Sequence, residues 1–304
     1  MRPIVSVNKA GIMLKTYLAI LAAVCVQAYT PTLYSATKNN TCSEHTCSDT
    51  EQGVTAYRAK KYSEAKELFT SSCAKNDGKG CFGIGLGYYE GNWDQMDRTV
   101  ARTYFSRACS LNFLNGCFYL AFSYQEGLGG DKDTKAAVSL YEDNCLKEHK
   151  QSCRDLGYIY FDGAGVSADL SKALHFFSYA CTYGGDKSCY NAGHLLIQSP
   201  TTVEDLELAR VLFKKACAAK VNAGCNSLGT MHETGEGGTK DYKLAVSAYE
   251  QACDLGSSRG CYNLAAMYKR GHGVPVDNTI AISLNSKSCA LGYKPACENS
   301  SIKD

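Results

Sequence analysis

The chain has 304 residues, 45% of them hydrophobic and 20% charged, with 32 basic side chains against 30 acidic ones. That apolar content excludes a disordered chain, and five prolines are too few for a collagen-like or proline-rich class. A net charge of +2 gives nucleic acid or an anionic membrane no electrostatic handle, whereas 17 cysteines and 21 tyrosines are far out of proportion.

The N-terminus sets the redox context. Residues 1–15 carry Arg2, Lys9 and Lys15 and no acid, an apolar run follows from Tyr17 to Val26, and Val26-Gln27-Ala28 has the small-residue pattern of a cleavage site. Ten apolar residues fall short of the ~20 a membrane-spanning helix needs and suit a secretory signal over residues 1–28. Met13 is an alternative start that leaves a compact signal of the same type, and bulky Val24 ahead of Cys25 argues against a lipid anchor. Removing the signal leaves a net charge of −1 and sixteen cysteines, an even number. Sixteen thiols in an exported chain read as disulfides, so the expected location is secreted or periplasmic.

An N-terminal segment, residues 29–50, carries Cys42 and Cys47 with His45 between them. An eighth disulfide is expected there. A bridge to another molecule stays open, and a metal site lacks a fourth ligand and the usual Cys-x-x-Cys spacing.

From residue 51 to 301 the chain repeats. Fourteen cysteines form seven pairs, Cys73/Cys81, Cys109/Cys117, Cys145/Cys153, Cys181/Cys189, Cys217/Cys225, Cys253/Cys261 and Cys289/Cys297, each 8 residues apart and each 36 after the last. A period of this size signals a solenoid of helical hairpins. Two positions 8 apart on one helix lie ~12 Å apart, and a disulfide needs Cα atoms within ~7 Å. A bridged pair therefore straddles a turn, one cysteine closing a helix and the other opening the next.

The first helix of each unit has its own markers. Twelve residues before the first cysteine stands an aspartate, Asp97, Asp133, Asp169, Asp205, Asp241 or Asp277, suited to cap a helix start. Eight before it stands Ala65, Ala101, Ala137, Ala173, Ala209, Ala245 or Ala281. Four before it stands an aromatic, Phe69, Phe105, Tyr141, Phe177, Phe213 or Tyr249, with Asn285 the exception. Steps of four place alanine, aromatic and cysteine on one stripe.

The second helix carries Ile84, Leu120, Leu156, Ala192, Leu228 and Leu264 three residues after its cysteine, followed by Gly85, Ala121, Gly157, Gly193, Gly229 or Ala265. Three further on stand Tyr88, Tyr124, Tyr160, Leu196, His232 and Tyr268, which completes one buried face and places His232 in the core. A recurrent mid-helix glycine costs about 1 kcal/mol against alanine, so another backbone is expected to pack against it. Paired glycines such as Gly127/Gly129, Gly163/Gly165, Gly235/Gly237 and Gly271/Gly273 then end the helix.

Three departures stand out. The first hairpin, around Gly53–Ser72, lacks a partner cysteine upstream and reads as the N-terminal cap, since terminal units are atypical. Gln198-Ser199-Pro200-Thr201-Thr202 replaces Gly-x-Gly, so that turn should differ, and the last unit ends after Cys297 with no leucine or tyrosine stripe.

The pattern Cys-x-x-Leu-Gly/Ala-x-x-Tyr-x-x-Gly-x-Gly, followed by Asp-x-x-x-Ala-x-x-x-aromatic-x-x-x-Cys, resembles the Sel-1-like repeat. With cysteines 8 apart in every 36-residue unit it is similar to the Helicobacter cysteine-rich proteins, over roughly residues 51–298. The resemblance implies an all-α chain, a right-handed α/α superhelix of tetratricopeptide-like repeats with each disulfide stapling neighbouring helices. It also implies export, and a weak β-lactamase or penicillin-binding activity on penicillanic and cephalosporanic acid derivatives.

The residues themselves supply no catalytic site. Ser63-Glu64-Ala65-Lys66 and Ser72-Cys73-Ala74-Lys75 match Ser-x-x-Lys, but the companion Ser-Asp-Asn and Lys-Thr-Gly motifs are absent, as are zinc and phosphate-loop motifs. No cofactor and no metal are expected. The alternative is a protein-binding scaffold. By analogy with tetratricopeptide proteins, positions one, two, five and eight after the second cysteine would line a concave groove: Phe118, Gln125, Arg154, Tyr158, Tyr190, Asn191, His194, Tyr262, Asn263 and Lys269. Aromatics beside amides and bases suit a peptide or a cell-wall fragment, bacterial or host. The chain is expected to be monomeric, without nucleic acid and without a membrane span in the mature part.

Overall fold

A computed structural model of the chain describes residues 48–93, 95–198 and 201–298. The signal, Cys25, Cys42, His45 and Cys47 lie outside the described residues, as do Ser199, Pro200 and residues 299–304. The described residues form helices and no strand. A lead helix, α1 (Asp49–Arg58), precedes α2 (Tyr62–Ala74), α3 (Gly78–Glu90), α4 (Arg98–Ser110), α5 (Leu114–Glu126) and α6 (Thr134–Leu146). Then come α7 (Lys150–Asp162), α8 (Leu170–Thr182), α9 (Asp186–Gln198), α10 (Val203–Ala218) and α11 (Asn222–Thr234). The chain closes with α12 (Tyr242–Asp254), α13 (Ser258–Arg270), α14 (Asn278–Ala290) and the short α15 (Lys294–Glu298). Even-numbered helices from α2 end at the first cysteine of a pair, odd-numbered ones from α3 open at the second, and each packs on its sequence neighbours to build a solenoid.

The turn inside each cysteine pair is the same seven times. Its third residue past the first cysteine is left-handed: Asn76, Asn112, Glu148 and Lys220 at φ +59° to +66°, and Gly184, Gly256 and Gly292 at +80° to +91°. The next amide reaches back over five residues, as from Val221 to the Ala216 carbonyl at 2.9 Å, the Schellman closure of a helix end. That same residue is the N-cap of the following helix, so one cramped turn ends one helix and starts another. Disulfides join Cys73–Cys81, Cys109–Cys117, Cys145–Cys153, Cys181–Cys189, Cys217–Cys225, Cys253–Cys261 and Cys289–Cys297 across it, with Cα atoms 4.4–4.8 Å apart. On the chain-entropy account, closing so short a loop contributes about 2.5 kcal/mol, enough to offset the ~1–2 kcal/mol that a left-handed Glu148 or Lys220 costs.

The caps follow the sequence with one shift. Asp97, Asp133, Asp169, Asp241 and Asp277 each accept an amide of the first turn of their helix. Asp205 does not open its helix: Thr202 caps α10 three residues earlier, and Asp205 returns the capping box from inside. The divergent Thr201-Thr202 pair supplies two hydroxyls where other repeats have a glycine turn, and Asp205 is buried accepting from both residues.

Between repeats, the small residue of the second helix receives a ring, not a backbone as its recurrence suggests. The Phe177 ring of α8 lies against Gly157 of α7, so that a Cβ there would sit 2.5 Å from its Cδ1. Gly85 meets Phe105, Gly193 meets Phe213 and Gly229 meets Tyr249 in the same way. The rings are fully buried: Phe177 and Phe213 join a cluster that runs from Ala121 to Ala252, and Phe105 and Tyr249 belong to the clusters on either side of it. Asn285 stands where the last ring would be, buried, its Oδ1 without a partner among the described residues.

His149 is the unusual cap. Its Nδ1 accepts the Ser152 amide at the start of α7, and its Nε2 lies 3.0 Å from Asn115 Oδ1 of the preceding repeat. The amide fixes the neutral tautomer with the proton on Nε2. Burial, with Arg154 and Lys150 adding, pushes the imidazole down to about 4.

Two outcomes follow from these contacts. Gly157→Val should lower unfolding free energy in denaturant titration by about 1–3 kcal/mol, because the new side chain must displace a buried ring in a close-packed core; an unchanged midpoint would remove the ring from its place in the account. Between pH 6.5 and about 4 the unfolded chain takes up a proton that native His149 refuses, so its share of stability is complete above pH 6.5 and is lost as pH falls. His149→Asn, which keeps a capping oxygen but does not titrate, should flatten the drop in Tm between pH 7 and 4.5 measured for the native sequence.

Candidate functional site

Second helices α3 to α13 spend their cysteine and the residues three and four beyond it on the core, with the residue seven beyond buried or half-buried beside it, and this leaves the intervening face free. Successive second helices also meet, α3 against α5 and α11 against α13 by packing and α7 against α9 through Tyr158 and Asn191, so their free faces adjoin there.

Its central stretch is polar and aromatic together. Tyr158 is 42% exposed, rests edge-on against Phe177 at 5.0 Å, and accepts a hydrogen bond of 2.8 Å from Asn191 Nδ2 of the next repeat. Tyr190 lies parallel to His194 at 5.7 Å and leans on Phe213, while the Gln198 amide donates to His194 at 3.2 Å. Further along, Asn263 Nδ2 donates to Asn226 Oδ1 of the preceding repeat at 2.9 Å. Tyr262 packs against Tyr293, and Lys269 is exposed.

Two of the expected groove residues are committed elsewhere. Phe118 is wedged among Tyr119, Tyr141 and His149 at 5.4–5.7 Å, so most of its ring serves packing. Arg154 is clamped onto its neighbour Asp155 at 2.7 Å, and burial pushes that carboxyl upward while Arg154 pulls it back. Its guanidinium is therefore already matched by an acid. Gln125 donates to Glu126, and its Oε1 is buried without a partner among the described residues.

The structure adds residues the expectation did not name. Phe82, Tyr89 and Tyr119 form an aromatic group with ring centres 5.2–5.9 Å apart, flanked by Arg98 over Tyr89 at 5.0 Å. They stand one, eight and two residues after their cysteines, so the spacing that singled out Tyr190 and Asn191 points to them as well. Asn226, which completes the bond to Asn263, is also one residue after its cysteine. His232, expected in the core, is half-buried and accepts a hydrogen bond from Arg210; burial, then Arg210, push its imidazole down.

The two Ser-x-x-Lys segments are structural. Ser72 is buried and bonds with Thr50 and Asp77, while Lys75 reaches Asp49 at 2.6 Å. Ser63 sits on the exposed side of α2, and Lys66 lies over the Tyr88 ring. Among the described residues no helix is long and apolar enough to cross a membrane.

The Sel1 repeat family profile matches residues 79–113, 114–142, 150–182, 186–221, 222–257 and 258–293, more than half of the chain. No curated protein matches it. Among solved structures it is similar to c5321, a protective antigen of uropathogenic Escherichia coli strains displaying an SLR fold, at 27% identity and a TM-score of 0.71 over 77% of this chain and 50% of that one. It thus spans half the length of that antigen. A Sel1 repeat protein from Oxalobacter formigenes shares the fold at 20% identity and a TM-score of 0.62, over 80% of this chain and 97% of that one. Cysteine-rich protein B of Helicobacter pylori is 28% identical over 43% of this chain and 95% of its own, with a TM-score of 0.37. On the strength of six matched repeats, the chain belongs to the Sel1 repeat family.

Proposed function

We propose that this protein is a non-enzymatic scaffold that holds an extended peptide segment of another protein along the face of its second helices. The observation that carries this reading is the run of amide and phenol groups linked from repeat to repeat, Asn191 to Tyr158 and Asn263 to Asn226. Such groups, set in place by their neighbours, offer donors and acceptors to a peptide backbone at little further ordering cost. Half-buried rings such as Tyr190 and Tyr262 supply apolar area between them. Of the two expected cations on this face, Arg154 is already neutralised by Asp155 and only Lys269 is left to anchor an anionic cell-wall fragment.

Seven cystines suit an oxidising compartment. In this reading residues 1–28 direct export, residues 29–50 form a lead segment closed by Cys42 and Cys47, residues 51–301 make the solenoid, and the monomer meets its target in the periplasm or outside the cell. Hydrolysis of β-lactams, implied by resemblance, gains no support from Ser72, which is sealed under α1.

The test is a peptide array probed with the oxidised protein, followed by affinity measurement on the hits. Tyr158→Ala combined with Lys269→Glu should weaken binding about tenfold or more while circular dichroism stays native. Equal binding by the variant to every hit would end the proposal. A chromogenic cephalosporin should turn over no faster than with a boiled control.

A further inference from the structure

A second surface lies on the other side of the solenoid, between two successive first helices. There α10 and α12 face each other across an open cleft of about 460 Å³, within the ~300–1,000 Å³ of small-molecule sites. Each helix contributes a stripe at helical spacing: Glu207, Arg210, Val211 and Lys214 from α10, and Leu244, Ser247 and Gln251 from α12. Leu228, Ala248 and His232 form the floor.

The origin of the cleft is visible by stepping back three repeats. At the equivalent place Tyr124 stands for His232 and Leu140 for Ala248, and both pack against the core there. The Arg102 guanidinium lies 4.0 Å from the Tyr124 ring and donates to the Asp131 carbonyl. Arg210 makes the matching bond to the Thr239 carbonyl at 3.0 Å, but the smaller histidine accepts from it in place of a ring beneath it. Two truncations, tyrosine to histidine and leucine to alanine, hollow out the site that Tyr124 and Leu140 fill; between α6 and α8, where Phe176 stands for Ala248, the cleft is about 250 Å³.

What remains has a definite chemistry. Val211 and Leu244 are 52% and 49% exposed on opposite walls and, with buried Leu228 and Ala248, give the trough an apolar lining. Arg210 and Lys214 stand on one wall beside Glu207, and at His232 burial pushes the imidazole down first, Arg210 and Lys214 add to it and Asp241 opposes them. We propose that this cleft binds a small anionic amphiphile, a monocarboxylate with an apolar chain, its head between Arg210 and Lys214 and its chain between Val211 and Leu244 over Leu228 and Ala248. Charge complementarity selects the anion, and the narrow apolar trough selects the tail. This site is independent of the peptide-binding face and stands or falls apart from it.

Decanoate, titrated into the full oxidised chain and followed by calorimetry and by perturbation of backbone amide resonances, is the probe. Saturable binding at one equivalent is expected, with shifts confined to α10–α12. His232→Tyr restores the side chain of the equivalent site, should leave Tm unchanged or raised, and should abolish binding. Lys214→Glu, on an exposed wall, should weaken it at least tenfold, and decanol should bind at least tenfold more weakly than decanoate. Non-saturating uptake, binding undiminished in His232→Tyr, or equal binding of decanol would each overturn the proposal.

Discussion

The architecture depends on a turn that a free chain would resist. Two helices must reverse within four residues, and the pivot lies in the left-handed region at all seven cysteine pairs. Glycine takes that conformation without penalty and asparagine with little, but Glu148 and Lys220 occupy it too. The cystine spans this pivot, tying the last turn of one helix to the first turn of the next. Because a solenoid unit touches only its neighbours, no distant part of the protein could hold the turn closed. The bridge makes each hairpin locally self-sufficient, and the stack can then be assembled from similar pieces.

Stacking is carried by a second device, the aromatic ring of one unit seated on the small residue of the unit before it. The glycine costs helix propensity, and the gain is a ring brought down onto the helix axis, fully buried. The same geometry draws successive second helices together and turns their remaining side chains to one side. Those side chains lie outside the repeated packing stripe, so the surface can carry rings in its first repeats, phenol and amide in the middle, and paired asparagines and Lys269 near its end.

Much of this was legible in the residues. The 8- and 36-residue spacings and the alanine–aromatic–cysteine stripe specify hairpins, their order and the buried face of each helix. What periodicity could not supply was the identity of the partner. A recurrent glycine says that something comes close, and only the packing shows that Phe177 rather than a backbone fills the space over Gly157. Asp205 sits at the capping position by count, yet two threonines start the helix a turn early. Among the candidate groove residues, spacing told which positions the core stripe leaves over but not whether a neighbour already used the group, as Asp155 uses Arg154 and Tyr141 uses Phe118. The cleft between α10 and α12 was hidden for a related reason. It arises from two truncations sixteen residues apart, each unremarkable alone, which become neighbours only when α11 and α12 are folded together.

The most direct test of the central claim is peptide mass mapping of the native protein under non-reducing conditions. The account predicts that every linkage in the solenoid joins a cysteine to the one eight residues further on, with no free thiol among those fourteen. Linkages between different 36-residue units, or thiols open to alkylation before reduction, would contradict it.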